Sequence, residues 1–239
     1  MTPGELVRDV LAAGLRPRSV ILYGSAAAGD HAGRESDYNV LMVFPELDDH
    51  GWAALQHGLR RWLRSGQPAP WVFVGEELAR SRDVFPIELS DVREAHTVLY
   101  GEDVAAGIEV QPEHLRLQLE REARAMVLRL RAARLQCRWA REVRAFMVRT
   151  IGAVGALVRA ALRLRGQPTP AAKLDALELW ARLTGQPMHA VRRVMELKLG
   201  RVRVGRGELF ELLAAYQSEV EALAAALDRW VGELTPRAS

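Results

Sequence analysis

The chain has very little of several residue types that define protein classes. Cys137 is its only cysteine, which excludes an internal disulfide and a zinc site built from cysteines. Only two of its 33 basic residues are lysines, and the other 31 are arginines. Arginine suits bidentate contacts with phosphate or carboxylate, although a GC-rich genome would produce the same bias. The formal net charge of +3 is too small to indicate nucleic-acid binding by itself.

Long uninterrupted apolar runs are also absent. No charge-free stretch approaches the roughly 20 residues that a membrane-spanning helix requires. Glu5, Arg8 and Asp9 interrupt the stretch in which a signal peptide would have its apolar segment. We therefore expect a cytoplasmic protein that does not enter a membrane. With 239 residues, 49% of them hydrophobic, the chain can bury the core of one large domain or two modest ones.

The most informative stretch covers residues 20–44 and has the sequence VILYGSAAAGDHAGRESDYNVLMVF. Its two apolar runs predict buried strands over Ser19–Tyr23 and Tyr38–Phe44, with a turn at Gly24-Ser25. Gly24 lacks the Cβ that would block close approach of a ligand. Backbone N–H groups of this turn and the Ser25 hydroxyl can therefore hold phosphate groups, and a simple tight turn is the alternative.

Oxygen-bearing side chains begin the second of these strands. Asp37 and Asn39 are two residues apart, so their side chains leave the same face of a strand, with Tyr38 on the other face. Glu88, in a fourth strand predicted over Phe85–Leu89, is the best candidate for a third ligand on a neighbouring strand. Such oxygen ligands suit magnesium that is shared with substrate phosphates. Two further acids follow closely and are alternatives to this third ligand: Asp91 and Glu94.

The remaining pattern divides the chain into two parts. The first contains an amphipathic helix over Leu47–Leu63 and a third strand over Trp71–Val74. After about Gln111 the apolar residues recur at helical intervals, and Gly/Pro segments separate the helices. We therefore predict an α/β domain over residues 1–108 and an all-α domain over residues 109–239, which is an α+β chain overall.

The spacing of Gly24-Ser25, Gly29 and Ser36-Asp37-Tyr38-Asn39 resembles the GS…G…SDxD signature of the DNA-polymerase-β-like nucleotidyltransferase superfamily. An α/β domain before a helical one is similar to its kanamycin and aminoglycoside nucleotidyltransferase branch. The resemblance implies a small mixed β-sheet with flanking helices, followed by a helical bundle. It also implies Mg²⁺- or Mn²⁺-dependent transfer of a nucleoside monophosphate from a nucleoside triphosphate, with ATP as first candidate, to a hydroxyl of a small molecule or protein.

The resemblance assigns roles to six residues of this chain. It implies that Asp37 and Glu88 are catalytic and that Gly24, Ser25 and Ser36 bind the nucleotide. The metal ligands that it implies are Asp37, Asn39 and Glu88.

The chain departs from the superfamily pattern at Asn39, where SDxD has its second aspartate. Asparagine retains an oxygen ligand but removes one negative charge, which weakens a metal site beside a polyanionic nucleotide. A catalytically degenerate module that binds a nucleotide or a partner is therefore the alternative to an active transferase. A nucleic-acid binder is not favoured, and a homodimer formed through apolar helices of the second domain stays open.

Charged residues of the helical half have two interpretations. An arginine series can line a phosphate-binding cleft or form a solvated face with salt bridges to Glu120, Glu122 and Glu142. The resemblance suggests Glu142 as the base for an acceptor hydroxyl. The series consists of Arg121, Arg124, Arg131, Arg134, Arg138 and Arg141.

Overall fold

A computed structural model describes residues 1–27, 38–170 and 172–234, which form two compact units, Met1–Gln111 and Pro112–Ser239. The first unit is built around a mixed sheet flanked by helices. Its strands are β1 Ser19–Tyr23, β2 Asn39–Phe44, β3 Trp71–Val74 and β4 His96–Gly101. Its helices are α1 Pro3–Ala12, α2 Asp49–Gly58, α3 Arg60–Arg64, α4 Glu77–Arg80 and α5 Pro86–Glu94.

The sheet has the order β3-β2-β1-β4. β1 is antiparallel to both of its neighbours, whereas β2 and β3 are parallel. The C-terminal end of β1 therefore lies beside the first residues of β2 and β4. In the register of the ladders, Tyr23 is opposite Asn39 on one side and His96 on the other.

Both faces of the sheet are covered, because β1 and β2 are apolar on both sides. One face contributes Val20, Leu22 and Met42 to a core with helices α1, α2 and α3, in which Trp62 is fully buried. The opposite face contributes Ile21, Leu41 and Val43 to a second core. That core also contains Leu89 and Val92 of α5 and residues of the segment after β4, including Ala105 and Ile108.

The first two predicted strands and the third one are confirmed, but the predicted fourth strand is wrong. Most of the segment Phe85–Leu89 belongs to α5. Pro86 is the first residue of this helix, where its missing N–H does no harm. The buried positions 86, 87, 89, 90 and 92 follow a helical rather than an alternating pattern. The fourth strand is β4, which begins eleven residues further along, and its residues are half-buried or exposed.

The second unit is entirely helical over its described residues. α7 passes the length and composition test for a membrane span, yet 56% of its apolar window is buried. It contacts α6, α8, α9 and α10, as the central helix of a bundle would. The predicted fold class, a mixed sheet with flanking helices followed by an all-α region, is confirmed. The helices of this unit are α6 Pro112–Gln136, α7 Ala140–Leu164, α8 Lys173–Thr184, α9 His189–Lys198 and α10 Glu208–Leu234.

Candidate functional site

The turn after β1 depends on glycine at position 24. Gly24 has a φ of +78°, in the left-handed region that favours glycine, and it begins a 3₁₀ turn over Gly24–Ala26. Its N–H donates to the carbonyl oxygen of Ala95 at 2.9 Å, which fixes the turn to the residue that precedes β4. Because this N–H is already bonded, phosphate recognition by the turn would use the N–H groups that follow Gly24.

Asn39 lies directly against this turn. A Cβ on Gly24 would be 3.3 Å from Nδ2 of Asn39, so the amide occupies the space that a side chain would need. Nδ2 is the amide atom that faces the turn, which leaves Oδ1 as the ligand candidate. The structure thus brings together two residues, Gly24 and Asn39, that are separated by fourteen positions in the sequence.

One row of the sheet collects the polar groups at this end. Tyr23, Asn39 and His96 are opposite one another across β1, β2 and β4. Directly opposed residues project from the same face, with Cβ atoms about 4.5–5.5 Å apart in antiparallel pairs. This is the face that α5 covers, since Leu41 follows Asn39 by two residues and packs in the same core as Leu89.

Glu88 reaches this row from α5. Burial first, and then the charges of Glu88 and Asp91, raise the pKa of Tyr23, so its hydroxyl is neutral at every ordinary pH. The charges of both carboxylates thus act on the residue that precedes Gly24. Glu88 is supplied by a helix and not by a strand, and its place in the site stays a prediction.

The strands next to β2 supply no acidic ligand. β1 has the sequence SVILY and β3 the sequence WVFV, so neither contains a carboxylate. The prediction that a neighbouring strand carries the third ligand is therefore wrong. Glu88 lies on a helix, because the apolar residues that follow Pro86 belong to α5. Glu88 as a metal ligand stays a prediction.

The structure describes three of the predicted site residues only in part or not at all. Ser36 and Asp37 lie outside the described residues, and of Ser25 only the backbone is described, within the 3₁₀ turn. Within residues 1–27, 38–170 and 172–234, no group of three or more His, Cys, Asp or Glu side chains could hold a metal ion.

Tyr38 follows the predicted alternation. Its ring lies on the opposite face from Asn39 and packs against Trp62, with ring centroids 6.0 Å apart. Its N–H donates to Oε1 of Gln67 at 2.8 Å. This anchors the start of β2, and with it Asn39, to the segment before β3.

The sequence interpretation missed a histidine–aspartate pair at the site. Nε2 of His96 is 3.1 Å from Oδ1 of Asp103, and Asp103 also accepts the N–H groups of Ala105 and Ala106. The N–H of Ala106 and then His96 lower the pKa of the Asp103 carboxyl below its usual value. No motif spacing predicts this pair, because a chain reversal after β4 brings Asp103 back to the beginning of the same strand.

In the helical unit, two charged features have structural partners. Oε2 of Glu142 accepts the N–H groups of Arg138 and Trp139 at 2.9 and 3.1 Å, so this carboxylate caps the start of α7. Of the arginine series, Arg124 pairs with Asp228 at 3.0 Å and Arg131 with Glu221 at 2.9 Å. Within α6 itself, Arg121 pairs with Glu122 at 3.2 Å and Arg124 with Glu120 at 3.5 Å, two of the predicted acids. These contacts agree with a solvated, salt-bridged face of α6 to which α10 contributes further acids.

The side chains of the chain's only two lysines both lie near Gly152 of α7. Nζ of Lys173 donates to the carbonyl oxygen of Gly152 at 3.3 Å. A Cβ on Gly152 would be 3.8 Å from this Nζ and 3.7 Å from Nζ of Lys198. Glycine at position 155 also leaves room for the Lys173 side chain, since a Cβ there would be 2.9 Å from its Cδ. The glycines of α7 therefore accommodate lysine side chains as well as close helix packing.

Comparison with known proteins identifies the architecture. No protein-family model matches this chain, and no curated protein sequence does either. Among solved structures, the chain is similar to the crystal structure of spectinomycin adenyltransferase AAD(9) from Enterococcus faecialis with ATP and spectinomycin. The TM-score is 0.55 at 12% sequence identity, and the match covers 91% of this chain and 98% of that chain. The chain therefore has the fold of a nucleotidyltransferase, with a mixed-sheet unit followed by a helical unit.

Proposed function

We propose that this protein binds a nucleoside triphosphate at the turn over Gly24–Ala26 and transfers its nucleoside monophosphate to a hydroxyl group of a small molecule. ATP is the first nucleotide candidate, because the similar structure contains ATP. The observation that supports this proposal most directly is the left-handed Gly24, with Asn39 packed against it. A turn without a Cβ, at the edge of a sheet and beside a polar row, is the kind of surface that a polyphosphate can approach closely.

The described groups around the turn have distinct proposed roles. The Tyr23 hydroxyl is held neutral and can donate a hydrogen bond, while Oδ1 of Asn39 can accept one or contribute a ligand oxygen. Glu88 is the proposed acceptor for the proton of the attacking hydroxyl, and the influence of its charge on the pKa of Tyr23 supports this role. Asp37 is proposed as the main carboxylate of the site.

A divalent cation belongs to the proposal through the nucleotide. Magnesium or manganese, bound with the nucleotide, would offset the phosphate charge during transfer. The described residues contribute one amide oxygen from Asn39 and the Glu88 carboxylate, which do not make a metal site alone. We therefore expect the cation to depend on Asp37 and on the nucleotide phosphates, and the roles of the protein side chains above do not depend on it.

A second candidate function is nucleotide binding without transfer. It is favoured by Asn39 in place of a carboxylate and by the absence of acids from β1 and β3. Such a site retains the turn and its contacts but provides less negative charge for a cation. The two candidates differ in whether pyrophosphate is released and in how the protein responds to a restored carboxylate.

Calorimetry with ATP, with and without Mg²⁺, tests the binding step. The native chain is compared with Asn39→Asp and with Gln111→Glu, a control that adds the same charge at an exposed position outside the turn. We expect Asn39→Asp to increase Mg²⁺-dependent ATP affinity by about tenfold, the effect of one added charge-assisted ligand. The control should behave like the native chain. Absence of ATP binding in all three proteins would refute the nucleotide site.

Pyrophosphate release tests the transfer step. Spectinomycin is the first acceptor to try, because the similar structure contains it, and a set of neutral and anionic hydroxyl compounds follows. Release that requires an acceptor, and that Asp37→Ala abolishes, supports transfer by the native chain. ATP binding without release in the native chain, combined with release by Asn39→Asp, supports the degenerate binding module instead.

A further inference from the structure

A pocket of about 480 Å³ lies within the helical unit, where α6 ends and α7 begins. Its floor contains small and apolar groups, including Ala133, Cys137 and Phe146. Two arginines of the lining, Arg129 on α6 and Arg149 on α7, supply positive charge from opposite helices. An apolar floor with two cationic side chains is a different chemical environment from the turn after β1.

The one carboxylate of the pocket lining already has hydrogen-bond partners. Glu142 is its only acidic lining residue, and Oε2 of this side chain accepts two backbone N–H groups at the start of α7. A carboxylate that caps a helix N-terminus also interacts favourably with the helix dipole. The lining therefore carries two guanidinium groups against one carboxylate, and Oε2 of that carboxylate is already hydrogen-bonded to the backbone.

The arginines are placed to meet a ligand. The side chain of Arg129 is 55% exposed, and its nearest acidic contact is a long one of 4.0 Å to Oε2 of Glu122. Burial first, and then the charge of Glu142, raise the pKa of the Cys137 thiol, and the charge of Arg149 offsets part of this rise. Guanidinium groups of both helices therefore line the pocket.

We propose that this pocket binds a small anionic amphiphile, with its apolar body against Phe146 and the alanine floor and its anionic head between Arg129 and Arg149. Planar guanidinium groups bind carboxylate, sulfonate and phosphate oxygens through paired N–H donors. The ligand class follows from the combination of an apolar floor and two arginines. Every lining residue of the pocket belongs to the helical unit.

The probe for this site is 8-anilinonaphthalene-1-sulfonate, an aromatic amphiphile with one anionic group. We expect the native chain to bind it at one saturable site, and Arg129→Gln or Arg149→Gln to weaken binding by about tenfold each, the effect of one hydrogen bond to a charged group. Arg144→Gln is the matched control, because Arg144 is an exposed arginine of α7 that does not line the pocket. Equal affinity in Arg149→Gln and Arg144→Gln would overturn the proposal.

Cys137 provides a site-specific readout, because it is the only cysteine of the chain and lines the pocket. Saturating probe should slow modification of Cys137 by 4,4′-dithiodipyridine, and Ala145→Glu, which adds a carboxylate to the lining, should remove this protection. Decanoate and decyl phosphate should displace the probe, and their relative strengths identify the preferred head group. Displacement by decylamine with equal strength, or unchanged Cys137 labelling in the presence of probe, would overturn the assignment.

Discussion

Replacing Gly24 with alanine separates the structural role of the turn from its proposed binding role. A left-handed backbone costs an L-residue about 1–2 kcal/mol, and the φ of Gly24 is +78°. The new Cβ would also meet Nδ2 of Asn39 at 3.3 Å, so the amide must move by a few tenths of an ångström. We therefore expect Gly24→Ala to lower the free energy of unfolding by about 1–2 kcal/mol, with a small additional cost at Asn39.

The chain offers a control with the same backbone conformation. Gly14, in the same unit, has a φ of +85°, and no atom lies within 4 Å of the position that its Cβ would take. Gly14→Ala should therefore carry the backbone cost without the contact. Urea denaturation of both variants measures the two stabilities, and their difference isolates the contribution of the Asn39 contact.

The two variants should differ clearly in ATP binding. Because Gly24→Ala places a methyl group at the proposed phosphate surface and displaces Asn39, we expect ATP affinity to fall by about tenfold or more. Gly14→Ala should bind ATP like the native chain, since Gly14 lies at the end of α1. If calorimetry gives equal ATP affinities for Gly24→Ala and Gly14→Ala, the turn is not the phosphate site.

Two further predictions concern β4. Gly101→Ala should lower the free energy of unfolding by about 3 kcal/mol or more, because the new Cβ would collide with backbone atoms of Arg18. Backbone atoms cannot rotate away as a side chain can. An unchanged midpoint of urea denaturation would contradict this prediction. The lowered pKa of Asp103 gives stability that is present above its unfolded-state pKa and lost as pH falls through its folded-state pKa. Asp103→Asn should therefore flatten the acid side of the urea-midpoint profile, and an unaltered profile contradicts the pairing with His96.

Local patterns in the sequence predict the strands and turns that neighbouring residues specify. The apolar runs on either side of Gly24-Ser25 became β1 and β2, and Thr2 and Glu5 form a capping box at the start of α1. Gly24 follows from the need for a turn without a Cβ where a ligand approaches closely, and its positive φ agrees with glycine at this position. The alternation that places Asn39 and Tyr38 on opposite faces is also present.

The wrong fourth strand shows where local pattern was insufficient. Ile87 and Leu89 alternate with Glu88 as in a half-buried strand, and short apolar runs of this kind fit both periods. Packing decided the outcome, because a helix that begins at Pro86 buries Ile87, Leu89 and Val92 together, and two of these contact the second core. The consequence for function is that any role of Glu88 at the site would be played from a helix.

The sequence by itself thus determined the two-part α+β organisation, the glycine turn and the residue types of the candidate site. Only the tertiary structure decided which groups meet. The contact of Asn39 with Gly24 and the charge effect of Glu88 on Tyr23 join different elements, and the pairing of His96 with Asp103 depends on a chain reversal after β4. The physical reason is that strand register and helix docking are set by the burial of whole faces, and polar side chains at the ends of those elements are positioned as a result.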